Sequence, residues 1–246
     1  MLIDYIVPLI VILTYFLHHY LDTIAHFSRI AGKITYMSAT GVSIYNSLII
    51  LSRLFLAIML PMLALLVDLD IKEDHLINIF LISQTFVFFG ITYSIIKVNS
   101  FIPFFIIFIK RLNSNGFISS LFYSLFKPSK EKKIFFEANL RKISGLVRHK
   151  EYLISLVANT FLSSGFFISF YLASQFSDFQ LSFSQLSFAI HGIGAIMNAV
   201  FLEYKLGQQN DKHNELLSFS NNLVLIVTFG RGCGFLLSAI LWVILI

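Results

Sequence analysis

Charge is what this sequence has least of. Only 13% of its 246 residues are Asp, Glu, Lys or Arg, about half the roughly 25% of a soluble domain, which excludes a water-facing surface over the whole chain. There is one cysteine, Cys233, which excludes an internal disulfide and a cysteine-based metal site; it reads as a small apolar filler in a helix. The opening MLIDYIVPLI lacks a basic n-region, and the apolar run continues without a small-residue cleavage site, so no cleaved signal peptide is expected. No nucleotide-binding loop is present. Energy for any transport would then come from an ion gradient or from consumption of product on the far side.

What the chain does have is apolar length. Hydrophobic residues make up 57% of it, and its mean hydropathy is +0.81. About 20 consecutive apolar residues cross a bilayer, and six segments reach that length: about 4–25, 39–67, 75–97, 152–176, 184–204 and 222–246. The expected fold is an all-α integral membrane protein with about six transmembrane helices. The stretch 98–150 differs. Its short apolar pieces, Phe101 to Ile109 and Phe117 to Phe126, flank the breaker NSNG (Asn113 to Gly116) and read as interfacial or re-entrant helices. The chain therefore divides into a three-helix half (1–97), a basic helical connector (98–150) and a second three-helix half (151–246). Halves with an odd number of spans are inverted in the membrane if they are related. GVSIYNSLIILSRL (Gly41 to Leu54) and GIGAIMNAVFLEYKL (Gly192 to Leu206) hint at such a repeat, since each sets an asparagine about one and a half turns after a glycine.

The net charge of +5 is concentrated beside the membrane and gives no nucleic-acid signal. KPSKEKKIFFEANLRKISGLVRHK (Lys127 to Lys150) holds eight basic residues against two glutamates. By the positive-inside rule this loop is cytoplasmic, where it would lie against anionic lipid. Arg29, Lys33, Lys205 and Lys212 agree, and the opposite loops VDLDIKED and QFSDFQLS are poor in basic residues. Both termini are expected outside.

Polar residues recur inside these spans. Thr14, His18, Asp22, His26 and Arg29 share one helical face by spacing, as do Asn46 and Arg53. Ser184, Ser187, His191 and Asn198 form a stripe ending near Glu203, and Thr228 and Arg231 sit among glycines. The hydroxyls and amides fit helix–helix packing. His18, His19, Asp22 and His26 invite a metal reading, but nothing supplies a convincing further set of ligands, so no metal or cofactor is expected. The arginines resist a packing explanation, because an Arg at a helix centre costs roughly 2.5–3.5 kcal/mol. Arg53 and Arg231 lie too deep to reach water by stretching. Asp22 and Glu203 are the only acids near that half of the membrane. If they pair with Arg29 and one other arginine, at least one central guanidinium is left open to a water-filled cavity and an anion. Asp22, Glu203, His18 and His191 are the candidate proton carriers.

LDTIAHFSRIAGKI (Leu21 to Ile34) and SIYNSLIILSR (Ser43 to Arg53) resemble the signature of the lipid II flippase Amj family. SQLSFAIHGIGAIMNAVFLEYKLG (Ser184 to Gly207) is similar to that family's fifth-helix region. The matching positions are Asp22, Thr23, Ser28, Arg29, Gly32, Asn46, Ser52, Arg53, Gln185, Gly192 and Arg231, whereas Leu54, Phe55, Leu56, His191 and Glu203 depart from the pattern. The resemblance implies a bacterial inner-membrane transporter, not an enzyme, that moves an undecaprenyl-pyrophosphate-linked peptidoglycan precursor outward independently of MurJ. On that expectation Arg29 receives the headgroup, and Arg53 and Arg231 hold its pyrophosphate. Asn46, Gln185, His191 and Asn198 bond sugar or peptide, and Asp22 orients Arg29. The alternatives are a flippase for another polyprenyl-linked glycan, a lipid-phosphate enzyme using His18, Asp22 and His26, and a scaffold that docks a partner on the basic loop.

Overall fold

The computed structural model describes residues 3–69, 71–126, 150–212 and 216–245. Among these the chain is helical, with no strand. Its α-helices are α1 (Ile3–Ile34), α2 (Ser38–Asp68), α3 (Glu73–Ile96), α4 (Val98–Asn115), α5 (Phe117–Phe126), α6 (Lys150–Gln175), α7 (Gln180–Met197), α8 (Tyr204–Asp211), α9 (Leu216–Asn221) and α10 (Gly230–Leu245). Two π-helical segments, Asn198–Glu203 and Asn222–Phe229, join α7 to α8 and α9 to α10. Of the expected connector, 98–150, the basic stretch 127–149 lies outside the described residues.

Five helical columns are long and apolar enough to cross a membrane: α1, α2, α3, α6, and the column 177–211 that contains α7 and α8. Even α3, with 24 residues, is about 36 Å long, more than the roughly 30 Å of hydrocarbon. The outer faces carry Leu9, Ile50, Phe89, Ile196 and Val243, all exposed. A bilayer turns such residues from a liability into the solvated surface. The sixth expected span, 222–246, is not a single α-helix: α10 has 16 residues, and the stretch before it is π-helical. There the Thr228 hydroxyl donates to the carbonyl five residues back, on Leu223, at 3.3 Å. α1 runs to Ile34 instead of 25, because its basic end is buried against protein: Lys33 Nζ donates to the carbonyls at the C-terminus of α8. α4 is longer than the expected short piece. Asn113 to Asn115 continue the helix, and only Gly116, at φ 72, breaks it. α4 packs along α1.

Two apolar clusters organise the bundle. One joins Val11, Tyr15, Leu63, Phe80, Phe167 and Trp242 from α1, α2, α3, α6 and α10. The other joins Phe27, Ile30, Ile102, Phe108 and Phe219. On α1 the polar residues His18 to His26 fall between them. α1 and α2 touch backbone to backbone where Gly32 meets Gly41: a Cβ on Gly32 would lie 2.8 Å from the Gly41 Cα, and one on Gly41 would lie 2.6 Å from the Ser28 carbonyl oxygen. α7 approaches α6 in the same way at Gly194, where a Cβ would sit 2.5 Å from the Ala158 carbonyl oxygen. The aligned glycines of the suggested repeat do different work, since Gly192 has nothing within 4 Å.

Candidate functional site

The polar residues between the two clusters enclose a cavity of about 530 Å³. α1 lines it with His18, His19, Asp22 and His26, and α2 with Tyr45, Ile49, Ser52, Arg53 and Leu56. α6 supplies Asn159 and Leu162. The α7 column supplies Phe188, His191, Ala195, Asn198, Ala199, Leu202 and Glu203, and α10 supplies Arg231. Helical spacing explains most of this: residues 45, 49, 52 and 56 form one stripe, as do 188, 191, 195, 198 and 202. Glu203 does not fit. Five residues past Asn198, an α-helix would turn it about 140° away. The π-helical segment between them repeats at about five residues and returns Glu203 to the lining.

Electrostatically the site is two ion pairs and one unmatched cation. Arg231 Nη2 donates to Asp22 Oδ2 at 2.9 Å and to His19 Nδ1 at 3.0 Å. Asp22 also accepts from the Ser52 hydroxyl at 2.5 Å, and His18 Nδ1 donates to the Ser52 carbonyl at 3.0 Å. Arg29 Nη1 donates to Glu203 Oε2 at 2.7 Å, while Glu203 Oε1 accepts from the Tyr45 hydroxyl at 3.1 Å. Arg53 has no ion-pair or hydrogen-bond partner among the described residues. It sits fifteen residues from either end of α2, and its side chain is exposed. His26 Nδ1, Asn198 Oδ1, His19 Nε2 and Arg231 Nε are buried without a partner.

These positions correct several expectations. Asp22 holds Arg231, not Arg29, and Glu203 holds Arg29. The two acids do pair with Arg29 and one other arginine, Arg231, and Arg53 is the central guanidinium left without a partner among the described residues. Arg29 does not line the cavity, because Glu203 and the Tyr45 ring, 5.1 Å from its guanidinium carbon, cap it. Asn46 is exposed and outside the lining. It stands one residue past Tyr45 on the stripe as Arg53 stands one past Ser52, and only the longer side chain reaches round. Gln185 is exposed, a turn beyond the Phe188 end of the cavity. Arg53, Arg231, His191, Asn198, Asp22, Glu203 and His18 all line it. α6 is the most enclosed of the five spans. Sequence reasoning missed Tyr45, Asn159 and Leu162, although the spacing of Tyr45 to Ser52, seven residues, would have placed it.

The chemistry suits anions better than metals. His18, His19 and Asp22 bring ligand atoms within 4.8 Å of one another, without His26. The Arg231 guanidinium already bonds two of these groups, so a metal ion would meet a fixed positive charge. Arg53 and Arg231, both lining one cavity, offer forked donors of the kind that bind paired phosphate oxygens. Compared with protein families, residues 13–244 match one described as Amj: Alternate to MurJ. The chain belongs to the Amj family. The match takes in every residue of the cavity, so the lining belongs to the part of the chain that defines Amj membership. No curated protein and no solved structure matches the chain.

Proposed function

We propose that this protein is a flippase that carries a polyprenyl-pyrophosphate-linked peptidoglycan precursor, lipid II, across the bacterial cytoplasmic membrane. The observation that carries the reading is Arg53, an uncompensated cation at the midpoint of a membrane-length helix, beside a polar cavity. Moving an unpaired arginine to that depth costs roughly 2.5–3.5 kcal/mol. An anionic headgroup in transit would offset that cost, and the Amj family's description as an alternate to MurJ supports the same activity.

In this reading the pyrophosphate bridges Arg53 and Arg231. The incoming phosphate competes with Asp22 for Arg231, and Asp22 retakes its arginine as the headgroup leaves. His191 and Asn198 face the sugar. Glu203 with Arg29 and Tyr45 closes the cytoplasmic end, and Asp22, Glu203 or His18 carries any coupled proton. The arrangement is six spans in two halves, 1–97 and 151–246, with both termini outside and the basic connector on cytoplasmic anionic lipid. The unpartnered Asn198 and His26 atoms would serve another polyprenyl-linked glycan as well, so the cargo sugar is what the experiment must separate.

The test is rescue of a bacterium depleted of its peptidoglycan-precursor flippase. The expected result is growth with the wild-type chain and none with Arg53→Ala at equal membrane abundance. Full rescue by Arg53→Ala would discard the mechanism, and failure of the wild type would discard lipid II as cargo.

A further inference from the structure

The cavity is polar at its base and open at its mouth. His18, His19 and Arg231 at the base are buried, whereas the lining residues Arg53, Phe188, Ala195 and Ala199 are exposed. All four belong to α2 or to the column that contains α7. α2 packs extensively on α1 and α7 on α6, whereas α2 and α7 make far less contact with each other. Among the described residues, the Tyr45–Glu203 bond is the one side-chain hydrogen bond from α2 to the α7 column, and it lies at one end of the cavity. The seam above it is unsealed at the depth of Arg53, halfway along α2. At that depth the surroundings are hydrocarbon, so the opening faces lipid tails rather than water.

We propose that the seam between α2 and α7 is a lateral portal for the isoprenoid tail of the transported lipid. The inference rests on the flippase reading and adds where the tail runs. The headgroup sits among His18, Asp22 and Arg231, the tail leaves the cavity over Ala195 and Ala199, and Arg53 stands on the sill where phosphate meets hydrocarbon. Three features fit this occupant. A tail has no favourable place among buried, partnerless polar atoms, so it must leave the cavity sideways. The alanines, Ala195 on α7 and Ala199 in the π-helical segment that follows, both line the mouth and leave a notch where larger side chains would fill it. Arg53 provides a charge at the one point on the path where the ligand changes from anionic to apolar.

The test uses the full chain in phosphatidylethanolamine and phosphatidylglycerol vesicles, with undecaprenyl pyrophosphate carrying a photoreactive diazirine in its tail. Labelling is expected on α2 and α7 peptides around Arg53 and Ala199. Excess unlabelled polyprenyl pyrophosphate should displace it, and Ala195→Trp or Ala199→Trp should reduce it at least tenfold. Ile193→Trp, exposed on α7 but outside the lining, should leave it unchanged. Labelling spread equally over α3 near Phe89, full labelling of the Trp variants, or displacement by added phosphatidylglycerol each overturns the portal. Seam labelling that polyprenyl pyrophosphate displaces supports it even if the chain fails to rescue growth, so the portal and the lipid II reading fail separately.

Discussion

Arg231 and Asp22, 209 residues apart in sequence, meet at 2.9 Å. Their side chains are 7% and 17% exposed, in a region where lipid surrounds the protein. Removing one partner of such a pair leaves a buried charge uncompensated, at a cost of about 3–5 kcal/mol. Arg231→Ala and Asp22→Ala are expected to lose thermal stability in detergent and accumulate less in the membrane. The double variant Asp22→Asn/Arg231→Gln should recover more than half of the stability and none of the growth rescue. Equal stability of the single variants and the wild type would show that the pair does not hold the bundle together.

Arg53 should behave in the opposite way. With no described partner, Arg53→Ala removes an insertion cost of roughly 2.5–3.5 kcal/mol and should leave membrane abundance unchanged or raised. Transport should disappear. Arg53→Lys keeps the charge but loses the two-pronged geometry, and should fall between the two in a vesicle flipping assay.

Glu203→Gln should weaken the end of the cavity that the Arg29–Glu203–Tyr45 contacts close. The loss of stability should be smaller than at Asp22, because Glu203 is 34% exposed and solvent screens its pairing. Tyr45→Phe removes one hydrogen bond and should cost no more than about 1.5 kcal/mol. Thiol labelling of a cysteine placed at Asn198, with Cys233 replaced, should rise from the cytoplasmic side in Glu203→Gln and stay low in the wild type.

Two glycines and a third should separate cleanly. Gly32→Ala or Gly41→Ala forces backbone apart where α1 meets α2 and should cost about 1–3 kcal/mol. Gly192→Ala, with nothing within 4 Å of the new methyl, should stabilise its helix by up to about 1 kcal/mol. Thermal melts of the three purified variants decide this.

The long helices were legible because lipid leaves hydropathy little freedom: α2 and α3 fall within a few residues of expectation. The α1 polar face was legible too, since a period of four is a helix's own. Charge pairing was not. Asp22 is seven residues from Arg29, on the same face of α1 but two turns away, and the partners that win come from α10 and the α7 column. Nothing local ranks a distant arginine above a near one. Asn159 was missed because, apart from Leu162, its neighbours in the cavity belong to other helices. Glu203 could be placed only roughly, since a change from α to π geometry leaves no simple trace in residue type.

In the π-helical segment Asn198–Glu203 the position of a side chain depends on residue count more than on identity. Deleting Val200, which is exposed, would leave every charged partner chemically intact. The turn would tighten to α, and everything beyond it would swing by about 100°, taking Glu203 away from Arg29 and Tyr45. Val200→Ala should therefore rescue growth where the one-residue deletion does not. The wide turn thus sets the phase of one wall of the cavity, holding Glu203 on Arg29 and Tyr45.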